Sequence, residues 1–263
     1  MKKYLTIAKA EWLDALQNPG EVFLWIIMES IPVFIMGSLW IANKNNLSHL
    51  SVSPGQLVTY YFVVLMTSRI IGFYFDEHAQ VEIRDGTFSK HLLKPFSFPL
   101  YLISNNLGGK IFHFFSLYIP VTLLLLITFR SQIILPSPYN TLFFAISLIL
   151  AYFISFAISA LTATAAFFWE QSLSLIHAHW MLVSTAGGYM LPLFLYPEWL
   201  QSIFNFLPFK YLYYIPAAIF TNKLNFQEAF SSLIYSLTWA ISLNIMAYIF
   251  WKSGLKRYTS VGG

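Results

Sequence analysis

Long apolar runs dominate the pattern of hydrophobic and polar positions along the chain. A helix needs about 20 apolar residues to cross the roughly 30 Å hydrocarbon core of a bilayer. Six runs are of about this length, namely 22–42, 55–75, 111–129, 139–169, 173–196 and 229–251. None alternates polar and apolar positions as the strands of a membrane barrel do. The pattern therefore predicts an all-α integral membrane protein with six transmembrane helices in a single domain, 1–263.

Composition agrees with this prediction and excludes several kinds of chemistry. Of the 263 residues, 57% are hydrophobic and only 10% are charged, which is far from the composition of a soluble protein. The chain has no cysteine, so disulfides, thiolate metal sites and cysteine nucleophiles are excluded. His177 and His179 are two positions apart, on different faces of a helix, and do not indicate a shared metal. The acidic 76–78 segment is interpreted as a solvated helix end.

The distribution of Lys and Arg predicts the orientation of the chain in the membrane. With the N-terminus inside and all six runs spanning, 11 basic residues lie inside and 4 outside. The inside set is Lys2, Lys3, Lys9, Arg69, Arg84, Lys90, Lys94, Lys110, Lys252, Lys256 and Arg257, and the outside set is Lys44, Arg130, Lys210 and Lys223. This asymmetry predicts that both termini and the segment 76–99 are cytoplasmic.

The first 20 residues have the pattern of a helix lying in the inner membrane interface. Leu5, Ala8, Trp12 and Leu16 recur at helical spacing, and Asn18-Pro19-Gly20 ends the pattern. We predict an amphipathic helix that is bent by this turn into the first span. The alternative is a loose cytoplasmic tail.

A second departure from a plain bundle lies between the fifth and sixth runs. The segment 197–222 is apolar and aromatic, but Pro197, Pro208 and Pro216 divide it into pieces too short to span. It is predicted to form short, broken helices at the outer surface, since one more crossing would place the basic C-terminal end outside.

The segment after the second run, "RDGTFSKHLLKP" at 84–95, is predicted to contain a short cytoplasmic helix. Gly86 suits a left-handed cap for the preceding helix, and Pro95 ends the next one. Between them, Thr87 or Ser89 can cap the start; Phe88, Leu92 and Leu93 form one apolar side; and Lys90 and Lys94 lie on the other flank. Such a helix could transmit force to a soluble partner. It could equally be an interfacial helix that buries Leu92 and Leu93 among lipid headgroups.

Two charges lie within predicted spans, Glu29 in the first and Arg69 in the second. A charge near the centre of a bilayer costs roughly 3 kcal/mol or more, so each is expected to have a partner or a function. Both are a few turns from the cytoplasmic end of their span, and we predict that they form an ion pair. The functional alternative is that Glu29 contacts a cationic substrate.

The order of these parts resembles the permease subunit of a type-2 ABC exporter, of the small bacterial six-helix type. The likeness lies in the interfacial elbow helix, the loop motif at 84–95, and the outer motifs "PEWL" from Pro197 and "LPF" from Leu207. It implies a bacterial inner-membrane exporter built from a second permease, identical or related, and separate ABC ATPase subunits. The cytoplasmic loop would then dock on the ATPase through Arg84, Gly86, Thr87, Phe88, Lys90, Leu92, Leu93 and Lys94.

This resemblance also implies which molecules the chain itself binds. There is no G-x-x-x-x-G-K-[ST] phosphate loop in the sequence, so ATP and magnesium are expected on the partner subunit. The chain is expected to bind no cofactor, metal or nucleic acid, to contact membrane lipid, and not to be an enzyme.

Two rival classes of protein remain. A scaffold of an energy-coupling vitamin importer would need two Arg-bearing coupling helices, and only one loop qualifies. A membrane-embedded lipid-modifying enzyme would need converging polar residues, which here are scattered over separate loops.

Overall fold

The computed structural model describes residues 2–15, 17, 19–43, 52–73, 75–94, 97–169 and 172–258. All regular secondary structure in these ranges is helical, which confirms the predicted all-α architecture there. The α-helices are α1 (Lys2–Ala15), α2 (Pro19–Ala42), α3 (Pro54–Ile71), α4 (Phe75–Arg84), α5 (Ser89–Leu92), α6 (Phe98–His113), α7 (Ile119–Phe129), α8 (Pro138–Thr164), α9 (Leu173–Ala186), α10 (Glu198–Asn205), α11 (Tyr214–Phe220) and α12 (Phe226–Leu255). A π-helical turn, Phe114–Tyr118, joins α6 to α7, and 3₁₀ turns lie at Ala165–Phe167, Leu193–Leu195 and Pro208–Tyr211.

The helices divide into two compact units, of which the first comprises residues 1–69 and 96–137. Its apolar core joins α2, α3, the π-helical turn and α7 through Val33, Val58, Leu65, Tyr118, Val121, Leu125 and Phe129. Helix α1 packs along α6, where the Nδ2 of Asn105 donates to the carboxylate of Glu11 at 2.5 Å. Burial raises the pKa of Glu11 despite this hydrogen bond. The amphipathic N-terminal helix is therefore confirmed as a helix, and Leu5 and Trp12 remain exposed on it.

The helix that enters the third apolar run begins before it. Helix α6 begins at Phe98 and continues through Gly108, Gly109 and Lys110 to His113, whereas the apolar run starts at 111. Gly108 lies inside α6, on the side that α1 approaches. A Cβ at Gly108 would overlap the backbone of Ala8, so the glycine permits contact between the two helices.

The second unit comprises residues 70–95 and 138–263. Helices α8 and α12 pack side by side, and the Nδ2 of Asn244 on α12 donates to the backbone oxygen of Phe153 on α8 at 3.0 Å. Asn225 and Glu228 form a capping box that starts α12. Helix α4 packs near the C-terminal end of α8, where the Nε2 of Gln80 donates to the backbone oxygen of Thr162 at 2.7 Å.

The fifth apolar run does not form one long helix. Helix α9 has 14 residues and ends at Ala186, because the chain turns at Gly188, whose φ of 84° disfavours other residues. Helices α10 and α11 and the 3₁₀ turn between them confirm that the 197–222 segment consists of short, broken helices.

By length and composition, three helical stretches of the described residues could cross a membrane: Pro54–Arg84, Pro138–Phe167 and Phe226–Leu255. A fourth is possible if Phe98–Ser116 and Ile119–Phe129, which are bent by 41°, form one span. A shorter apolar helix covers Ile26–Ala42. The protein is thus an all-α membrane protein, and the count of six spans stays a prediction.

Candidate functional site

The candidate site is the turn that follows α4, and we refer to residues 84–94 as the 84–94 loop. Gly86 has a φ of 74°, and the amide of Phe88 donates to the carbonyl of Glu82 at 2.9 Å. This is the left-handed glycine cap expected at Gly86, and α4 ends at Arg84, two residues before it.

The short helix within the loop is a single turn, α5 (Ser89–Leu92). Its N-cap is Phe88, and no side chain caps it, so the predicted cap by Thr87 or Ser89 is wrong. Both hydroxyls instead bond backward. The Oγ of Ser89 donates to the carbonyl of Gly86 at 3.1 Å, and the Oγ1 of Thr87 to that of Glu82 at 3.4 Å. Pro95, the predicted stop, lies outside the described residues.

Phe88 does not share an outward apolar side with Leu92 and Leu93, so that prediction is wrong. Its side chain is 0% exposed. The ring lies edge-on against those of Phe167, Trp251 and Tyr258, with centroid distances of 6.2, 5.6 and 5.8 Å. Phe88 is therefore the anchor of the loop, because burying a Phe side chain is among the largest apolar contributions that one residue can make.

Tyr258, just beyond α12, is hydrogen-bonded to the backbone of the turn. Its hydroxyl donates to the carbonyl of Gly86 at 2.5 Å and accepts from the amide of Ser89 at 3.0 Å. The Ser89 amide belongs to the first turn of α5, where amides lack partners within the helix. One hydroxyl thus satisfies polar groups on both sides of Phe88.

Glu82, near the end of α4, contacts two residues of the same short helix through its carboxylate. Its two carboxylate oxygens lie 2.6 Å from the Nζ of Lys90 and 2.8 Å from the Nε2 of His91. His91 is buried, and this burial lowers its pKa, although the carboxylate of Glu82 acts in the opposite direction. The loop is therefore held by packing, by hydrogen bonds and by an ionic contact.

The exposed side chains of the loop include two leucines and several basic residues. Leu93 is 86% exposed and Leu92 is 48% exposed. Arg84, Lys90 and Lys94 are also exposed, and the Nε of Arg84 lies 3.4 Å from the carboxylate of Asp85. Of the residues predicted to dock a partner, the structure leaves Arg84, Thr87, Lys90, Leu92, Leu93 and Lys94 accessible and buries Gly86 and Phe88.

Comparison with protein families identifies the class of protein. A family model described as ABC-2 family transporter protein matches residues 51–262, from the start of α3 through α12 and including the whole 84–94 loop. The chain belongs to the ABC-2 family of transporter proteins. It is therefore the membrane component of a transporter, and the resemblance seen in the sequence is confirmed. A search of curated proteins found no match.

The intramembrane ion pair of the ABC-2 protein stays a prediction. Arg69 lies in the last turn of α3 and is half-buried. The side chain of Glu29, on α2, lies outside the described residues.

A buried acidic residue was missed by the sequence analysis. Glu77 and His78 are exposed as expected of a solvated helix end, but Asp76 is only 1% exposed, and its Oδ2 lies 3.5 Å from the Nδ1 of His179 on α9. Asp76 and Gln80, both buried, are one turn apart on α4. That spacing of two polar residues on one face was the available signal. Among the described residues, no three metal-ligating side chains converge.

The other missed residues are those that hold the loop. Glu82 could have been found from the pattern, because it faces Lys90 and His91 across a glycine turn. Phe167, Trp251 and Tyr258 lie far from the loop in sequence, so no local signal connects them to it.

Proposed function

We propose that this chain is the transmembrane subunit of an ATP-driven exporter, and that the 84–94 loop docks on a separate ABC ATPase subunit. The observation that carries the proposal is the exposed Leu92-Leu93 pair on a loop whose base is rigidly held. Contiguous exposed apolar surface among polar residues marks a contact with another protein or with the membrane, and a loop fastened to the protein on its other side suits a protein contact. Membership of the ABC-2 family supports the same conclusion.

The charge around the leucines indicates what kind of groove would receive them. Arg84, Lys90 and Lys94 are exposed on the same loop as the two leucines, so a groove with an apolar floor and an acidic rim would complement this surface. Contacts at such a rim would steer docking, whereas the leucines, once buried in the groove, would supply most of the affinity.

The proposed mechanism couples ATP to a two-state bundle. Two permeases, identical or related, assemble with two ATPase subunits in the bacterial inner membrane, with both termini of this chain cytoplasmic. ATP and magnesium bind on the ATPase subunits, whose closure displaces the 84–94 loop. Substrate leaves between the permeases when the outward-open state binds it less tightly than the inward-open state. Hydrolysis then resets the bundle.

Co-purification with the ATPase of the native host tests this proposal. The permease and ATPase are co-expressed and isolated in lipid nanodiscs, and the amount of ATPase bound is compared between the wild type and Leu93→Glu. A buried, unpaired carboxylate in an apolar groove costs several kcal/mol, so Leu93→Glu should lose at least 90% of the bound ATPase.

Matched variants separate docking from folding. Leu135→Glu places the same charge on another strongly exposed leucine, 75% accessible, between α7 and α8. This variant should keep the ATPase bound, and so should Leu93→Met, which keeps an apolar side chain at position 93. Equal ATPase binding by Leu93→Glu and the wild type would refute docking through this loop, and would favour burial of Leu92 and Leu93 among lipid headgroups.

A further inference from the structure

We propose that Tyr258 is a positioning residue that fastens the 84–94 loop to the C-terminal end of α12, so that a force on the loop moves α12 and α8 with it. The inference rests on the proposed function and adds which helices receive the motion. The 84–94 loop is continuous with α4, so a simpler expectation is that α4 alone carries the motion and α12 does not follow.

The first argument is the position of the Tyr258 hydroxyl. It bonds to the carbonyl of Gly86 and to the amide of Ser89, the residues that flank the turn. Both bonds join parts of the chain about 170 positions apart, 172 and 169 in sequence. Because the two groups lie on either side of Phe88, the loop cannot move away from α12 without breaking both bonds.

The second argument is the packing beneath that hydroxyl. Phe88 packs edge-on against both Trp251 on α12 and Phe167 in the turn after α8, whose ring centroids are themselves 5.4 Å apart. Gly254 on α12 faces the ring of Phe167, and a Cβ at this position would overlap that ring. The absence of a side chain at Gly254 therefore allows α12 to approach the aromatic cluster.

The third argument is a further contact at the same end of α12. The guanidinium of Arg257 lies over the ring of Phe168, 4.9 Å from its centroid, which is within the range of a cation–π interaction. The end of α12, the turn after α8 and the 84–94 loop thus form one packed cluster of contacting side chains. Such a cluster transmits displacement because packed interiors have low compressibility.

The test measures the distance between the loop and α12 by pulsed EPR. The chain has no native cysteine, so nitroxides can be placed at Asp85→Cys in the loop and Ile245→Cys on α12, two exposed positions. A second pair, Ile149→Cys with Ile245→Cys, measures the distance between α8 and α12. The full chain is measured in nanodiscs, alone and then assembled with the ATPase, with and without ATP.

In the wild type, we expect one narrow loop-to-α12 distance that is the same with and without ATP. Tyr258→Phe removes two partly buried hydrogen bonds but keeps the ring, and should raise the released fraction of the loop about tenfold. The α8-to-α12 distance should not change in this variant, which distinguishes positioning from a general loss of structure. Tyr235→Phe, near the other end of α12, is the matched control and should behave as the wild type does.

Two results would overturn the inference: a loop-to-α12 distance that changes when ATP binds to the wild type, or an unaltered distance distribution in Tyr258→Phe. The measurement on the isolated chain needs no ATPase, so its failure refutes the fastening alone. Failure of any ATPase to bind would instead refute the proposed function and leave the result on the isolated chain intact.

Discussion

Replacing Phe88 by alanine should release the 84–94 loop while the two helical units stay folded. Phe88 is completely buried against three rings, and Phe→Ala changes in such surroundings cost about 3–5 kcal/mol. Since about 1.4 kcal/mol corresponds to a tenfold change in an equilibrium constant, the opening equilibrium of the loop should rise roughly 100-fold to 4,000-fold. By contrast, Leu93→Ala removes a side chain that is 86% exposed and should change stability by no more than about 0.5 kcal/mol.

Hydrogen exchange measured by mass spectrometry provides the assay. The amides of Phe88, Ser89 and His91 are all hydrogen-bonded in the closed loop, to Glu82, Tyr258 and Phe88 respectively. Phe88→Ala should accelerate their exchange by the factor above, and Leu93→Ala should not. Equal exchange in Phe88→Ala and the wild type would refute the assignment of Phe88 as the anchor. Faster exchange in Leu93→Ala than in Phe88→Ala would show that the two side chains have the opposite roles.

Three further predictions concern other contacts. Burial lowers the pKa of His91 below its ordinary value of 6.5. The closed loop should therefore lose stability as the pH falls from 6.5 toward the lowered pKa, because the histidine of the released loop binds a proton first. Hydrogen-exchange rates corrected for pH should show this loss, and His91→Gln should abolish it. A double-mutant cycle of Glu29→Gln and Arg69→Gln should give a coupling energy above about 1 kcal/mol in thermal unfolding, and additive effects would contradict the ion pair. Gly108→Ala should loosen α1 because its Cβ would overlap α1, seen as faster exchange in α1, whereas Gly109→Ala, where the nearest atom is 3.9 Å away, should not.

The parts of the site that depend on local sequence could be predicted. Gly86 was identified as a left-handed cap because a glycine after a run of helix formers is a local signal, and its φ of 74° agrees. The broken helices of the 197–222 segment were likewise predicted from three prolines, which end helices for steric reasons that do not depend on the rest of the fold.

The parts that depend on tertiary packing could not be predicted. Phe88 follows the same apolar pattern as Leu92 and Leu93, and only the positions of Phe167, Trp251 and Tyr258 decide that it faces inward. Nothing in the local sequence shows that Gly108 faces another helix, but the approach of α1 makes it an interior packing residue.

Asp76 was misassigned for a related reason. An acidic residue at the end of an apolar run is usually solvated. Here α4 continues beyond it and packs on α8 and α9, so the carboxylate lies against His179 inside the second unit. Helix α6 likewise begins before the apolar run at 111–129, extending over less apolar residues that contact α1.

Photo-crosslinking from position 93 tests the central claim most directly. A benzoylphenylalanine replaces Leu93, the most exposed leucine of the 84–94 loop, and the intact membranes of the native host are irradiated with and without ATP. The proposed function predicts a crosslink to an ABC ATPase subunit, and no such crosslink from the same group at Leu135. Crosslinks from position 93 to lipid alone would contradict it.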